Sequence, residues 1–156
     1  MEFSPAVFFV MAMLSVVMET EGCMCQFQPL RSYFCQADFA VKAIPSNWTT
    51  DNEGHFARST FTLQIVHTYK IPVFLANETE ITVSSWESDG VCGINPGRPS
   101  PYEQEHPRAQ RPIFITGKVM EDGSLWTELC DHIALSWRWL SKPERRTIRN
   151  FPNLTC

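Results

Sequence analysis

Six cysteines in 156 residues constrain this chain more than any other feature. They are Cys23, Cys25, Cys35, Cys92, Cys130 and Cys156. Three lie close together near the start, and three are spread over the remainder. An even count in an exported chain predicts three disulfides, with 15 possible pairings. Cys23 and Cys25 are too close to pair comfortably, so each is expected to reach a distant partner. Bridges of that span close long loops and are nominally worth about 4 kcal/mol each in a chain-entropy model. The rival reading is a zinc site built on Cys23 and Cys25. It lacks the paired C-x2-4-C knuckles such sites use, and it conflicts with an oxidising compartment.

Export is read from the first 22 residues. Ala6 to Met18 is an uncharged apolar run of 13 residues. That is too short to span a bilayer, which takes about 20 residues, and it suits the core of a signal peptide. Thr20 and Gly22 supply small residues at the expected cleavage site, although Met1 to Pro5 carries no Lys or Arg. A buried apolar helix or an uncleaved anchor is the alternative. We expect residues 1–22 to be a signal peptide and residues 23–156 to form one domain, secreted to the extracellular space, with no membrane span. Sequons at Asn47, Asn77 and Asn153 agree with glycosylation along that route.

Cleavage after Gly22 changes the charge argument. The whole chain has a formal charge of -4, and the leader removes Glu2, Glu19 and Glu21, leaving -1 on 134 of the 156 residues. A near-neutral domain offers no basic patch for nucleic acid. Its hydrophobic fraction of 44% is ample for a core.

The chain reads mostly as strands. Asp38 to Ile44 and Ala57 to Tyr69 are rich in β-formers. In the second run Phe61, Leu63 and Ile65 alternate with Thr62, Gln64 and Val66, a two-residue period. Glu80 to Trp86 is a third strand. Pro112 to Met120 and Ser124 to Cys130 make a fourth and fifth, joined through Glu121-Asp122-Gly123, a strong hairpin signal. Five strands in a chain of this length predict a small closed barrel, an all-β fold with short flanking helices. One helix is expected near Leu30 to Asp38. Another starts at Ser141, where Ser141 and Glu144 form a capping box with Pro143 in the first turn, and runs to about Asn150. Asn95 to Pro112, with five prolines, reads as an exposed loop.

Catalytic motifs are missing from the sequence. His55, His67, His106 and His132 form no H-E-x-x-H, and there is no G-x-S-x-G or phosphate-cradling glycine loop. A cysteine nucleophile needs a free thiol, and all six are expected to be paired. His67 and His132 read as packing or surface residues, and Asp38 and Glu80 as solvated strand-edge charges. The chain is not expected to be an enzyme or to hold a cofactor of its own.

The N-terminus left by cleavage is the remaining chemical feature. A first residue Cys23 has a free α-amine with a pKa near 8, so a neutral fraction exists at physiological pH. That nitrogen and the carbonyl oxygen of the same residue can chelate a metal in a five-membered ring. A catalytic zinc keeps one open position, normally filled by water. An amine and carbonyl set there would displace that water. Anchors at Cys23 and Cys25 would hold the wedge rigid and lower the entropy lost on binding.

Cys23-Met24-Cys25, Phe34-Cys35-Gln36-Ala37-Asp38, Val91-Cys92-Gly93, Thr116-Gly117-Lys118, Leu129-Cys130-Asp131 and Cys156 together resemble the N-terminal domain of the tissue inhibitors of metalloproteinases. The resemblance covers nearly all of Cys23 to Cys156. It implies a netrin-like module, an OB-type five-stranded barrel, with bridges Cys23–Cys92, Cys25–Cys130 and Cys35–Cys156. It implies an inhibitor whose Cys23 ligates the zinc of a partner metalloproteinase of the matrix type. Met24 would enter the main specificity pocket, and Cys25 and Gln26 would continue along the cleft. Asp89 and Gly90 would flank the wedge. Met24 departs from the Ser or Thr usual in vertebrate members, which bears on selectivity. The chain stops at the sixth Cys, so the vertebrate second domain is not expected. A monomer is expected. The alternative is a non-inhibitory netrin-like binding module, whose first Cys follows other residues and has no free amine.

Overall fold

The computed structural model describes residues 23, 25–26, 28–51, 57–87, 92–94 and 111–156. The expected leader, Met24, Asp89, Gly90, His55, His106 and segment 95–110 lie outside the described residues.

Among the described residues the element order is α1 (Leu30–Gln36), β1 (Phe39–Asp51), β2 (Arg58–Lys70), a 3₁₀ turn (Val73–Leu75) and β3 (Glu80–Trp86). Then come β4 (Ile113–Val119), β5 (Leu125–Trp126), β6 (Ala134–Ser136), α2 (Lys142–Arg149) and a last 3₁₀ turn (Phe151–Asn153). The strands run β1-β2-β3-β5-β4-β6 across the sheet, and an additional β1–β4 pairing closes the first five into a barrel. Closure leaves those five strands without a bare edge. β6 pairs with β4 over Ile113 to Ile115, on the side of β4 that goes on to meet β5 at Lys118 and Val119.

The barrel follows from alternation. Phe39, Val41 and Ala43 of β1, Phe61 and Leu63 of β2, Ile81 and Val83 of β3, and Ile113 and Ile115 of β4 all point into one buried cluster. Their neighbours Ala40, Tyr69 and Phe114 point the other way, into a second cluster with Phe34, Leu140, Ile148 and Phe151. β1 and β4 are therefore buried on both faces, inward against the barrel and outward against the helical layer. Phe34 stacks on Phe151 with ring centroids 4.4 Å apart, which seats α1 beside the C-terminal segment. Pro45 sits in β1 next to a register shift between Pro45 and Asn47, where a residue without an N–H is tolerated.

The sequence reading meets the structure closely in places. β3 spans Glu80–Trp86 as expected, and β2 is within one residue at each end. Ser141 caps α2: Glu144 N–H donates to Ser141 Oγ (3.3 Å) and Ser141 N–H donates to Glu144 Oε2 (2.6 Å). The β4–β5 hairpin turns at Gly123, whose φ of 82° lies in the left-handed region. Asp122 Oδ1 accepts from Ser124 N–H (2.9 Å) and Ser124 Oγ–H (2.6 Å) in that turn, and these bonds hold its carboxyl below the ordinary carboxylate range.

Two expected strand bounds need correction. The first strand, expected over Asp38 to Ile44, runs over Phe39–Asp51. The strand expected over Ser124 to Cys130 shortens to Leu125–Trp126. Leu129 and Cys130 turn instead, because Cys130 is bridged to the N-terminal segment. Asp38 is exposed at the strand edge, as expected, and it also pairs with backbone. Its carboxylate Oδ2 accepts from Val119 N–H (2.8 Å) and its own N–H donates to Gly117 O (2.8 Å), joining the start of β1 to β4. Both partners are backbone groups, which is why the charge pattern of the sequence did not reveal them.

Candidate functional site

Three disulfides hold the N-terminal segment and the C-terminus to the barrel: Cys23–Cys92, Cys25–Cys130 and Cys35–Cys156. These are the pairings the resemblance implied. They join residues 69, 105 and 121 positions apart, with Cα–Cα distances of 5.3, 4.8 and 5.4 Å. At these separations each bridge removes roughly 4–5 kcal/mol of unfolded-chain entropy in the loop-closure model.

The first two bridges form one knot. Cys23 Sγ lies 3.5 Å from Cys130 Sγ and 3.7 Å from Cys25 Sγ. The sulfurs of Cys23, Cys92 and Cys130 are all within 4.8 Å of one another, a spacing that three metal ligands could share. All of them are disulfide sulfurs, so none is a thiolate able to hold a metal. The zinc alternative built on Cys23 and Cys25 falls on that point.

Backbone bonds brace the knot from beneath. Leu129 N–H donates to Cys92 O (2.8 Å), tying the turn after β3 to the turn after β5. Ile94 N–H donates to the buried Ser85 Oγ (2.8 Å), fixing the first turn to β3. Cys92 has a φ of 60°, a left-handed conformation costing a non-glycine residue roughly 1–2 kcal/mol. The Cys23 bridge and the Leu129 bond hold it there. Gln28 Nε2 donates to Cys130 O (3.4 Å), and Gln28 N–H donates to Tyr33 Oη (3.4 Å). The bonds of the Gln28 side chain and of Leu129 run to main-chain carbonyls, which no side-chain pattern in the sequence marks.

Within this frame Cys23 is half-buried, while Cys25 and Gln26 are exposed. The structure therefore brings Cys23, Cys25, Gln26, Cys92 and Cys130 together at one place. Met24, Asp89 and Gly90 lie outside the described residues. Cys35 and Cys156 are elsewhere, stapling α1 to the C-terminal segment. Asn47, Asn77 and Asn153 are all exposed.

Beside Cys25 and Gln28 runs an apolar groove of about 650 Å³, lined also by Leu30, Tyr33, Leu129 and Trp139. His132 lines its base at 4% exposure, and its Nδ1 finds no hydrogen-bond partner among the described residues. Burial pushes the His132 imidazole below its ordinary value, against the opposing pull of Asp131 and Glu128.

With this geometry in view, comparison with family-level sequence patterns matches residues 21–156 to the tissue inhibitor of metalloproteinase family. The chain belongs to that family. No curated protein matches the chain. Members of the tissue inhibitor of metalloproteinase family are protease inhibitors rather than enzymes, and membership implies a metalloproteinase inhibitor with metalloproteinases as its partners. The matched region contains the whole described barrel, the knot and all six cysteines. Proteins of the family are extracellular, and among the described residues no helix is long and apolar enough to cross a membrane.

Proposed function

We propose that the mature chain begins at Cys23 after removal of residues 1–22. We propose further that it inhibits a matrix-type metalloproteinase by presenting the α-amine and carbonyl oxygen of Cys23 to the catalytic zinc of the partner. The observation that carries this reading is the knot. Two bridges clamp Cys23 and Cys25 to adjacent turns while Cys25 and Gln26 stay exposed.

The chemistry asks three things of the chain. The amine must be neutral to donate a lone pair, and an α-amino group with a pKa near 7.7–8.0 supplies a useful neutral fraction at pH 7.5. Nitrogen and oxygen must be held together, and the chelate ring of one residue does that. The segment must not give up much entropy on docking, and a doubly bridged backbone has little to give up. The partner's zinc contributes an open coordination position, normally occupied by the water that attacks the peptide. An inhibitor filling that position leaves the protease without its nucleophile. Met24 then fills the neighbouring specificity pocket, Cys25 and Gln26 follow the cleft, and Asp89 and Gly90 flank it. Nothing in this mechanism uses a cofactor of the chain's own.

The test is N-terminal sequencing of secreted protein, then titration against a panel of matrix metalloproteinases. We expect Cys23 as the first residue and stoichiometric inhibition. One Ala added ahead of Cys23 turns the amine into an amide, which has no lone pair to donate. We expect that variant to keep its melting temperature and to bind about 10³-fold more weakly, a loss of about 4 kcal/mol. Undiminished inhibition by the extended form would remove chelation from the mechanism. A mature N-terminus upstream of Cys23 with no inhibition would leave a netrin-like binding module.

A further inference from the structure

The short connection between β2 and β3 carries an apolar surface that neither the barrel nor the knot uses. Val73 is 92% exposed and Phe74 59% exposed. Phe74 makes no ring contact with another described residue, whereas its neighbour Leu75 turns inward and packs on the barrel core. Three residues after Phe74 comes Asn77, exposed and within the sequon Asn77-Glu78-Thr79.

The backbone between Phe74 and Asn77 is tightly turned. Val73–Leu75 is a 3₁₀ turn, with Leu75 N–H donating to Pro72 O (3.0 Å) and Ala76 N–H to Val73 O (3.2 Å). Glu78 N–H then donates to Leu75 O (3.0 Å), a further three-residue turn that encloses Asn77. In a three-residue repeat, side chains at i and i+3 eclipse, about 6 Å apart along the axis. That spacing is close to the width of one pyranose ring. The Asn77 side-chain amide makes no hydrogen bond with a described residue, which leaves it open to modification.

We propose that Asn77 carries an N-linked glycan whose first N-acetylglucosamine lies on the face of Phe74 and covers the Val73–Phe74 patch. Attachment forms a bond from Asn77 Nδ2 to sugar C1 and breaks the C1–phosphate bond of a lipid-linked pyrophosphate oligosaccharide. The amide gives up one proton and the lipid pyrophosphate leaves. The apolar C–H face of the sugar then meets the negative face of the aromatic ring, a contact of the kind aromatic rings make with apolar and weakly positive edges. The other two sequons lack this platform. Three residues before Asn47 is the half-buried Ile44, and Asn47 Oδ1 already accepts from Trp48 N–H (2.9 Å). Three residues before Asn153 is Asn150.

This proposal rests on passage through the secretory route, so the experiment separates the two. The chain is expressed in a glycosylating eukaryotic cell behind its own leader and, in parallel, behind a heterologous secretion signal. Occupancy of Asn77 is read by peptide mass. Melting temperatures are then taken for the parent and Phe74→Ala, each with Asn77 intact and as Asn77→Gln. We expect Phe74→Ala to lower the melting point by roughly 3 °C when the glycan is present and by less than about 1 °C when Asn77 is Gln. Phe74→Tyr is expected to keep the glycan-dependent stabilisation, as is enzymatic trimming to a single sugar. Unmodified Asn77 behind the heterologous signal would overturn the proposal, and so would an equal drop in both backgrounds. Modification behind the heterologous signal alone would support it while removing the leader reading.

Discussion

Phe39, Phe61 and Phe114 are fully buried in and around the barrel, whereas Cys25 and Gln26 stand exposed beside it. The two regions are held by different forces. Every inward strand position of the barrel removes apolar surface from water, and strand pairing closes it. The N-terminal segment has almost nothing to bury and is held by two disulfides and a few backbone bonds. The difference separates stability from inhibition: damage to the barrel should cost folding free energy, and damage to the segment should cost binding.

The largest test of that separation is Phe39→Ala. Phe39 is fully buried in the barrel cluster, and its ring lies against Gly117, where even a Cβ would meet the ring and the Trp126 carbonyl. Removing the ring is expected to cost about 3–5 kcal/mol, read from denaturant midpoints. The fraction that remains folded should inhibit as the parent does. A loss under about 1 kcal/mol, or weaker inhibition per folded molecule, would break the comparison. The one-Ala extension ahead of Cys23 is its mirror image, with inhibition lost and melting unchanged.

Replacing both Cys35 and Cys156 with Ser comes next. This bridge spans 121 positions and lies apart from the knot. We expect a loss of about 2–5 kcal/mol in stability with inhibition intact in the folded protein. If inhibition fell as well, the C-terminal staple would be supporting the knot, and the two regions would not be separable.

The contrast also decides what could be read in the sequence. β2 and β3 were legible because one face is apolar and the other polar, and α2 because Ser141 and Glu144 announce its start. β6 was not legible. Ala134–Ser136 is three residues long and half-buried throughout, so it carries no period. The early end of β5 at Trp126 was hidden for a different reason, since the Cys130 bridge imposes that turn from outside the segment. At the site, cysteine spacing showed that Cys23 and Cys25 needed distant partners. It left the pairing open, because pairing is a property of the folded chain. Leu129 and Asp38 lay within the motifs of the resemblance, but their main-chain partners, like the Cys130 carbonyl that Gln28 reaches, left no pattern to find.

His132 lies between the two regions, at the base of the groove and two residues from Cys130. Burial lowers its pKa, so the folded chain holds fewer protons than the unfolded chain between the folded value and about 6.5. Stability from this residue is therefore fully present above about pH 6.5. It is lost as pH falls through 6.5 toward the folded value, by at most about 1.4 kcal/mol per pH unit. Melting curves from pH 8 to pH 5 should show this slope in the parent and not in His132→Leu. Identical slopes in both would show that the buried imidazole is protonated in the fold.

The smallest effect is expected at Lys118 and Glu128, which join β4 to the segment after β5 through a 2.7 Å ion pair. Burial acts to raise the Glu128 carboxyl, but Lys118 Nζ and the Trp126 indole N–H outweigh it and hold it below its usual value. Both side chains are partly open to water, with 36% and 23% exposure, so screening removes most of the attraction. Lys118→Met should therefore cost less than about 1 kcal/mol, and added salt should narrow the gap to the parent. Glu128 sits two residues before Cys130, so the pair ties β4 to the turn that carries the knot. Inhibition unchanged in Lys118→Met would mean that the bridges and backbone bonds suffice to hold the wedge. A several-fold loss of inhibition with little loss of stability would mean that this ion pair positions the turn carrying Cys130, and the border between the two regions would move to include it.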